Sequence, residues 1–215
     1  MALSQNELRA LTEGMLFYWS LASPIIKGRG FIRKVTELYT DPETPIPPLL
    51  RRVLSEVVDQ YLRLNEQIES LMVELESIAA GNEATKRLMS IPGVGVITAC
   101  YILAWVGDGK QFKSGREFAA WIGLVPRQYG TGGVTRLLGI SKRGNGGLRE
   151  YLIHGARSAI QWKLKENHSW SKWISDLIQR KPKTVAVVAM ANKMARIVWA
   201  VLTKETNYTS QFILE

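Results

Sequence analysis

The sequence predicts a mostly α-helical protein, in which a long coiled-coil helix is followed by a helical domain containing a helix-hairpin-helix element. Three observations carry this. Leu50, Leu54, Val57, Tyr61, Leu64, Ile68, Leu71, Leu75 and Ile78 recur at alternating spacings of four and three, the seam of a heptad helix. The run Ile91-Pro92-Gly93-Val94-Gly95 separates two stretches of helical pattern. Beyond it the chain returns to helical periodicity as far as Lys204, and strands are minor at most.

Residues 1–46 read as an N-terminal segment and linker. Short helices are expected in its first forty-odd residues, which carry a basic cluster at Lys27, Arg29, Arg33 and Lys34. Asp41-Pro42-Glu43-Thr44-Pro45-Ile46-Pro47-Pro48 holds no regular structure, because prolines lack donors and push the residues before them out of the helical region. Residues 47–82 form the heptad helix, ending near Gly81-Asn82. Its seam serves either a coiled coil, within or between chains, or packing against its own domain.

Residues 83–205 form the helical domain and 206–215 a tail. Glu83 to Ser90 and Val96 to Trp105 flank the Ile-Pro-Gly-Val-Gly turn. Backbone N–H groups of Gly93, Val94 and Gly95, with the following helix N-terminus, are candidates to hold one DNA phosphate; a plain αα-turn is the alternative. Ser114 is placed to cap a helix from Gly115 to Ile122, with Glu117 at capping-box spacing. Pro126 to Gly147 reads as loop, with a short hairpin around Gly130-Thr131-Gly132-Gly133; a long ordered loop in a helical domain is commonly functional. Helices follow at Leu148 to Lys165, Ser169 to Ile178 and Thr184 to Lys204.

The chain has 215 residues, 46% of them hydrophobic, and a formal net charge of +9, so it can bury a core and favours a polyanionic partner. Nucleic acid leads and an anionic membrane surface is the alternative. With a single cysteine, Cys100, no internal disulfide forms, and a cytoplasmic location with Cys100 in the core is expected. No uninterrupted apolar run reaches the ~18 residues of a spanning helix; Val185 to Val201 is broken by Asn192, Lys193 and Arg196. No membrane partner is expected.

Charge concentrates in one place. Between Phe118 and Arg149 there is no Asp or Glu, whereas Arg127, Arg136, Lys142, Arg143 and Arg149 are cationic. These five are candidate DNA- or RNA-binding residues. A second acid-free span, Leu177 to Lys204, includes Lys181, Lys183, Lys193 and Arg196, which extend the basic field or line a solvated face. No phosphate-loop motif is present, since Gly107-Asp108-Gly109-Lys110 lacks both spacing and hydroxyl. His154, His168 and Cys100 have no metal-ligand spacing, and the carboxylates form no pair or quartet suited to two-metal cleavage. No cofactor or metal is expected in this chain. Ser141, inside Gly139-Ile140-Ser141-Lys142-Arg143-Gly144-Asn145, is a candidate nucleophile beside charge-stabilising cations, yet lacks an evident general base. A phosphate-contacting or capping serine is the alternative.

These motifs, with Phe112 to Gln128, Leu148-Arg149, His154-Gly155-Ala156-Arg157 and Val185 to Arg196, resemble the C-terminal transposase domain of the IS one-ten/eleven-eleven family of bacterial insertion sequences. The resemblance covers roughly residues 25–203. It implies a DNA recombinase in which an N-terminal RuvC-like domain carries an Asp-Glu-Asp-Asp site for Mg²⁺, a coiled coil makes homo-oligomers, and a serine, here Ser141, attacks the DNA backbone. It also implies direction by a structured guide RNA. The expectation is a truncated or decayed transposase, or a separately expressed part, that lacks the RuvC-like half and is inactive alone. The competing expectation is a non-catalytic DNA/RNA-binding and oligomerisation module that regulates an intact transposase.

Overall fold

The computed structural model describes residues 30–131, 134–163 and 169–209. The expected helices before residue 30, the segment 164–168 and the end of the tail lie outside the described residues. The chain divides into two compact units, Met1–Met72 and Val73–Glu215, and the division falls inside the heptad helix.

In the first unit, α1 (Phe31–Thr40) leads through the proline-rich linker to α2 (Pro48–Ala80). Asp41 stops α1: its carboxylate accepts from Glu43 N at 3.0 Å and Thr44 Oγ1 at 2.7 Å. The Thr44 and Glu43 donors, helped by Arg51, hold the Asp41 carboxyl below its ordinary range. Arg51 clamps the linker, donating to the carbonyls of Tyr39 (2.5 Å) and Thr44 (2.6 Å). Pro48 opens α2, where a missing N–H costs nothing. The 33 residues of α2 give a helix of about 50 Å. Along its seam Val57, Tyr61, Leu64, Ile68 and Leu71 are exposed, Ile68 at 58% and Leu71 at 64%. Apolar side chains that open in a row are uncovered by their own unit's described residues.

The second unit is built around its last helix. After α3 (Glu83–Met89) and α4 (Val96–Val106) come α5 (Gly115–Trp121), a hairpin of β1 (Pro126–Thr131) and β2 (Val134–Ile140), then α6 (Gly146–Lys163), α7 (Ser169–Arg180) and α8 (Lys183–Lys204). Local chemistry sets the starts. Asn82 Oδ1 accepts from Ala84 N and Thr85 N at 2.9 and 3.1 Å to cap α3. Ser114 Oγ accepts from Glu117 N at 3.2 Å to cap α5, while Glu117 reaches back to Lys113 N at 2.7 Å. Helices α3, α5, α6 and α7 all pack on α8, whose Met190, Ala191, Met194, Ala195 and Val198 are fully buried. Small residues alternate with methionines there, so four neighbours approach one axis closely. Trp199 Nε1 donates to the carbonyls of Gly109 and Phe112, both at 3.2 Å, fastening the α4–α5 loop to the core helix.

By length and average hydropathy α8 could cross a membrane, despite the polar residues that interrupt its run. More than half of its apolar stretch is buried within the unit, as in the core helix of a globular domain.

The structure amends one expectation. Much of the segment from Pro126 to Gly147 is not loop but antiparallel hairpin, paired Pro126 with Ile140, Gln128 with Leu137, Tyr129 with Arg136 and Thr131 with Val134, with an irregularity between Pro126 and Gln128. Arg127, Gln128, Tyr129 and Gly130 are all exposed, so this ribbon lacks the apolar alternation by which a half-buried strand announces itself. Backbone pairing holds it instead. Smaller shifts follow from capping: α6 begins at Gly146 because Asn145 Oδ1 accepts from Leu148 N at 2.9 Å, and α7 runs on to Arg180.

Candidate nucleic-acid interface

Ser141 ends the hairpin and begins a short segment, 141–145, that the rest of the unit pins from several sides. Ser141 N donates to Val125 O at 2.8 Å and Lys142 N to Gly123 O at 3.1 Å. Arg149 Nη1 donates to the carbonyls of Ile122 (2.8 Å) and Arg143 (2.9 Å), stitching the segment to the end of α5. Gly144 has φ 71°, and a Cβ there would run into the Trp121 carbonyl. Lys142 adopts φ 55°, a left-handed conformation that costs a non-glycine residue about 1–2 kcal/mol. Strain of this kind persists only where surrounding contacts over-determine it.

The Ser141 hydroxyl is buried and has no hydrogen-bond partner. An unpaired buried hydroxyl is costly, and its neighbours in the chain, Ile140 and Lys142, both line an open groove.

That groove, of about 1330 Å³, runs between the α5 start, the hairpin, α7 and α8. Its lining includes Arg116, Arg127, Lys142, Lys193 and Arg196 and no carboxylate. Ile140, Val185 and Val188 supply apolar surface. Lys193 Nζ lies 4.8 Å from the Trp173 ring centroid, a cation–π contact. Burial, and secondarily Arg196, pushes the Lys193 amine below the ordinary lysine value.

The predicted residues therefore separate into groups. Arg127 and Lys142 line the groove. Arg136, opposite Tyr129, and Arg143 are exposed but do not line it. Arg149 directs one guanidinium nitrogen at backbone carbonyls, which makes it a strut of the Ser141 segment. Gly93, Val94 and Gly95 form a turn apart from the groove: Gly93 has φ 87°, a Cβ on it would meet the Gly155 carbonyl, and Val94 is 5% exposed. Val94 N donates to Ile91 O at 3.0 Å, so this predicted phosphate donor is already used within the turn. His154 is exposed, 3.8 Å from Glu150 Oε1, and Cys100 is free and half-buried.

Arg116 and Trp173 are groove residues that the sequence does not mark, and Lys193 and Arg196 are marked there only as an extension of the basic field or a solvated face. They are up to eighty residues apart in sequence. The only linear signal was the acid-free character of α8.

The family description "Transposase IS116/IS110/IS902 family" matches residues 85–170. Residues 85–170 match this family's transposase domain. The chain is 43% identical over 173 residues to "Probable family 20 transposase" of Pseudomonas aeruginosa, covering 80% of this chain and 51% of that protein. It is 36% identical over 208 residues to "Transposase for insertion sequence element IS1328" of Yersinia enterocolitica, covering 97% of this chain and 62% of the other. It is 44% identical over 163 residues to "Transposase for insertion sequence element IS1111A" of Coxiella burnetii, covering 76% and 45%. The chain thus spans about half the length of these relatives. The matched transposase domain includes both the Gly93 turn and the Ser141 segment, whereas Lys193 and Arg196 of the groove lie beyond it.

Proposed function

We propose that this chain is the DNA-binding, serine-bearing part of a transposase, in which Ser141 attacks the DNA backbone. The observation that carries the reading is the placement of Ser141: a rigidly held serine, its hydroxyl without a protein partner, between two lining residues of a carboxylate-free cationic groove. In the reaction the Ser141 oxygen forms an ester bond to a backbone phosphorus and one phosphorus–sugar oxygen bond breaks. The hydroxyl proton passes to a base, and the departing sugar oxygen takes up a proton. Lys142 and Arg127 are placed to balance charge gathering on the phosphate oxygens.

Among the described residues no three His, Cys, Asp or Glu side chains gather where they could hold a metal ion. Mg²⁺ in this reading belongs to a RuvC-like half outside these residues, and the chain by itself is inactive. A structured guide RNA is the second nucleic-acid partner. The exposed seam of α2 supports homo-oligomers, and equally the second reading, a module that regulates an intact transposase through mixed oligomers. Both readings require DNA binding.

DNA binding is tested by its salt dependence. Arg149 is committed to carbonyls, so Arg127, Arg136, Lys142 and Arg143 remain as phosphate contacts. Four contacts at about −0.9 each give a slope of log K against log salt near −3.6 on duplex DNA. Affinity that ignores salt would refute the reading. For oligomers, Ile68→Asp places a charge in the seam and should cost association several kcal/mol, while the helix, exposed there already, stays folded. Sedimentation should show the unmodified chain self-associated at micromolar concentration and the variant monomeric; a monomeric unmodified chain would overturn the homo-oligomer.

A further inference from the structure

The groove beside Ser141 is wider and more apolar than phosphate contact requires. We propose that it holds a single strand of nucleic acid, with phosphates along the cationic rim and unpaired bases against the apolar floor. This deepens the reading of the chain as a DNA-binding transposase part and takes from it only the kind of partner.

Charge and surface type favour an unpaired strand. Five cations and no carboxylate line the groove, so its complement is a polyanion. A duplex presents phosphates and groove edges, while its base faces are stacked on one another; it has nothing to lay on Ile140, Val185 and Val188. Unpaired bases have apolar faces to bury, and proteins that hold single strands combine a basic track with such surfaces. At about 1330 Å³ the groove exceeds the ~300–1,000 Å³ of small-molecule pockets and extends from the hairpin to α8. Lys193, over the Trp173 ring, has no carboxylate in the groove lining to balance its charge, and a backbone phosphate would supply the counter-charge. Burial, and then Arg196, lowers the proton affinity of Lys193, a cost to the charged form that a nearby phosphate would offset.

The position also has a consequence. Because Ile140 and Lys142, the chain neighbours of Ser141, line the groove, a strand in it passes along the segment that carries Ser141.

The test is fluorescence anisotropy of labelled oligo-dT, oligo-U and a blunt duplex with the full chain, comparing the unmodified protein with Arg116→Gln/Lys193→Gln and with Val185→Glu. Arg116 and Val185 are exposed, and thermal melting verifies that each variant is folded. The double variant should bind oligo-dT about tenfold more weakly, with a salt slope shallower by about 1.4, two contacts at roughly −0.7 each on a single strand. Val185→Glu, which sets a carboxylate at the groove, should weaken single-strand binding similarly. Duplex binding should fall less than about threefold, since its contacts lie on other cations. Equal affinity for oligo-dT and oligo-U supports a groove indifferent to the sugar, and preference for oligo-U supports an RNA strand. Unchanged single-strand affinity in both variants, or a parallel loss of duplex binding, would overturn the proposal. Duplex binding without single-strand binding by the unmodified chain would defeat this inference alone; absence of both would defeat the DNA-binding reading itself.

Discussion

Ser141→Ala should abolish covalent attachment to DNA while leaving the protein as stable as before or more so. The two halves of that expectation come from one observation, a buried hydroxyl with no hydrogen-bond partner. Removing it relieves an unsatisfied group whose desolvation costs about 1–3 kcal/mol, so the melting temperature should hold or rise by a few degrees, at about 2–4 °C per kcal/mol for a chain of this size. A serine that merely capped a helix would behave in the opposite way, losing about 1 kcal/mol on replacement. Covalent attachment is read on a denaturing gel of labelled DNA. The isolated chain should give no protein-linked band, because a serine hydroxyl needs a base or organised site to activate it. An intact family transposase that co-assembles with it, supplied with its RNA, DNA and Mg²⁺, should produce the band, and Ser141→Ala should erase it while binding changes by less than about twofold. A band that survives the substitution would assign the attack to another residue, and a band from the isolated chain would reveal an activating group within it.

Gly93→Ala should be among the most destabilising single substitutions in the second unit. Two costs add. The left-handed backbone, φ 87°, charges a side chain about 1–2 kcal/mol. The new methyl also has no room against the Gly155 carbonyl and lies 3.2 Å from the Ala159 Cβ, an overpacking typically worth about 1–3 kcal/mol. The sum, about 2–5 kcal/mol, corresponds to a melting-temperature loss of roughly 4–20 °C. Gly107→Ala is the control: its φ is 63° and ψ −127° but nothing stands within 4 Å of the new carbon, so about 1–3 kcal/mol of backbone strain is expected alone. Calorimetry of the two variants separates the terms. Equal losses would mean that the close approach of the turn to α6 contributes nothing, and that the turn is free to serve a phosphate without a packing role.

Much of the helical pattern was legible along the chain because its causes are local. Asn82 and Ser114 cap helices within three residues of themselves, Pro48 starts α2, and the spacing of Leu64, Ile68 and Leu71 needs no neighbour to declare a helix face. The hairpin was legible only at its glycine turn, since strands exposed at Arg127 to Gly130 carry no apolar alternation. The charged candidates were legible as a composition and not as a site: Arg127, Arg136, Lys142, Arg143 and Arg149 share an acid-free stretch, yet only Arg127 and Lys142 reach the groove, and Arg149 turns inward to carbonyls.

By itself, then, the sequence determined the mostly helical class, the basic character of the chain and the motifs that mark a transposase domain, because periodicity and charge are properties of neighbours in the chain. Tertiary structure decided which cations converge, that Lys193 sits over Trp173 in a groove that Arg116 also lines, that Ser141 keeps its hydroxyl buried and unpaired, and that Gly93 and Gly155 must both lack side chains. Each of these depends on close approach between segments tens of residues apart, a distance that packing around α8 sets and local spacing does not encode.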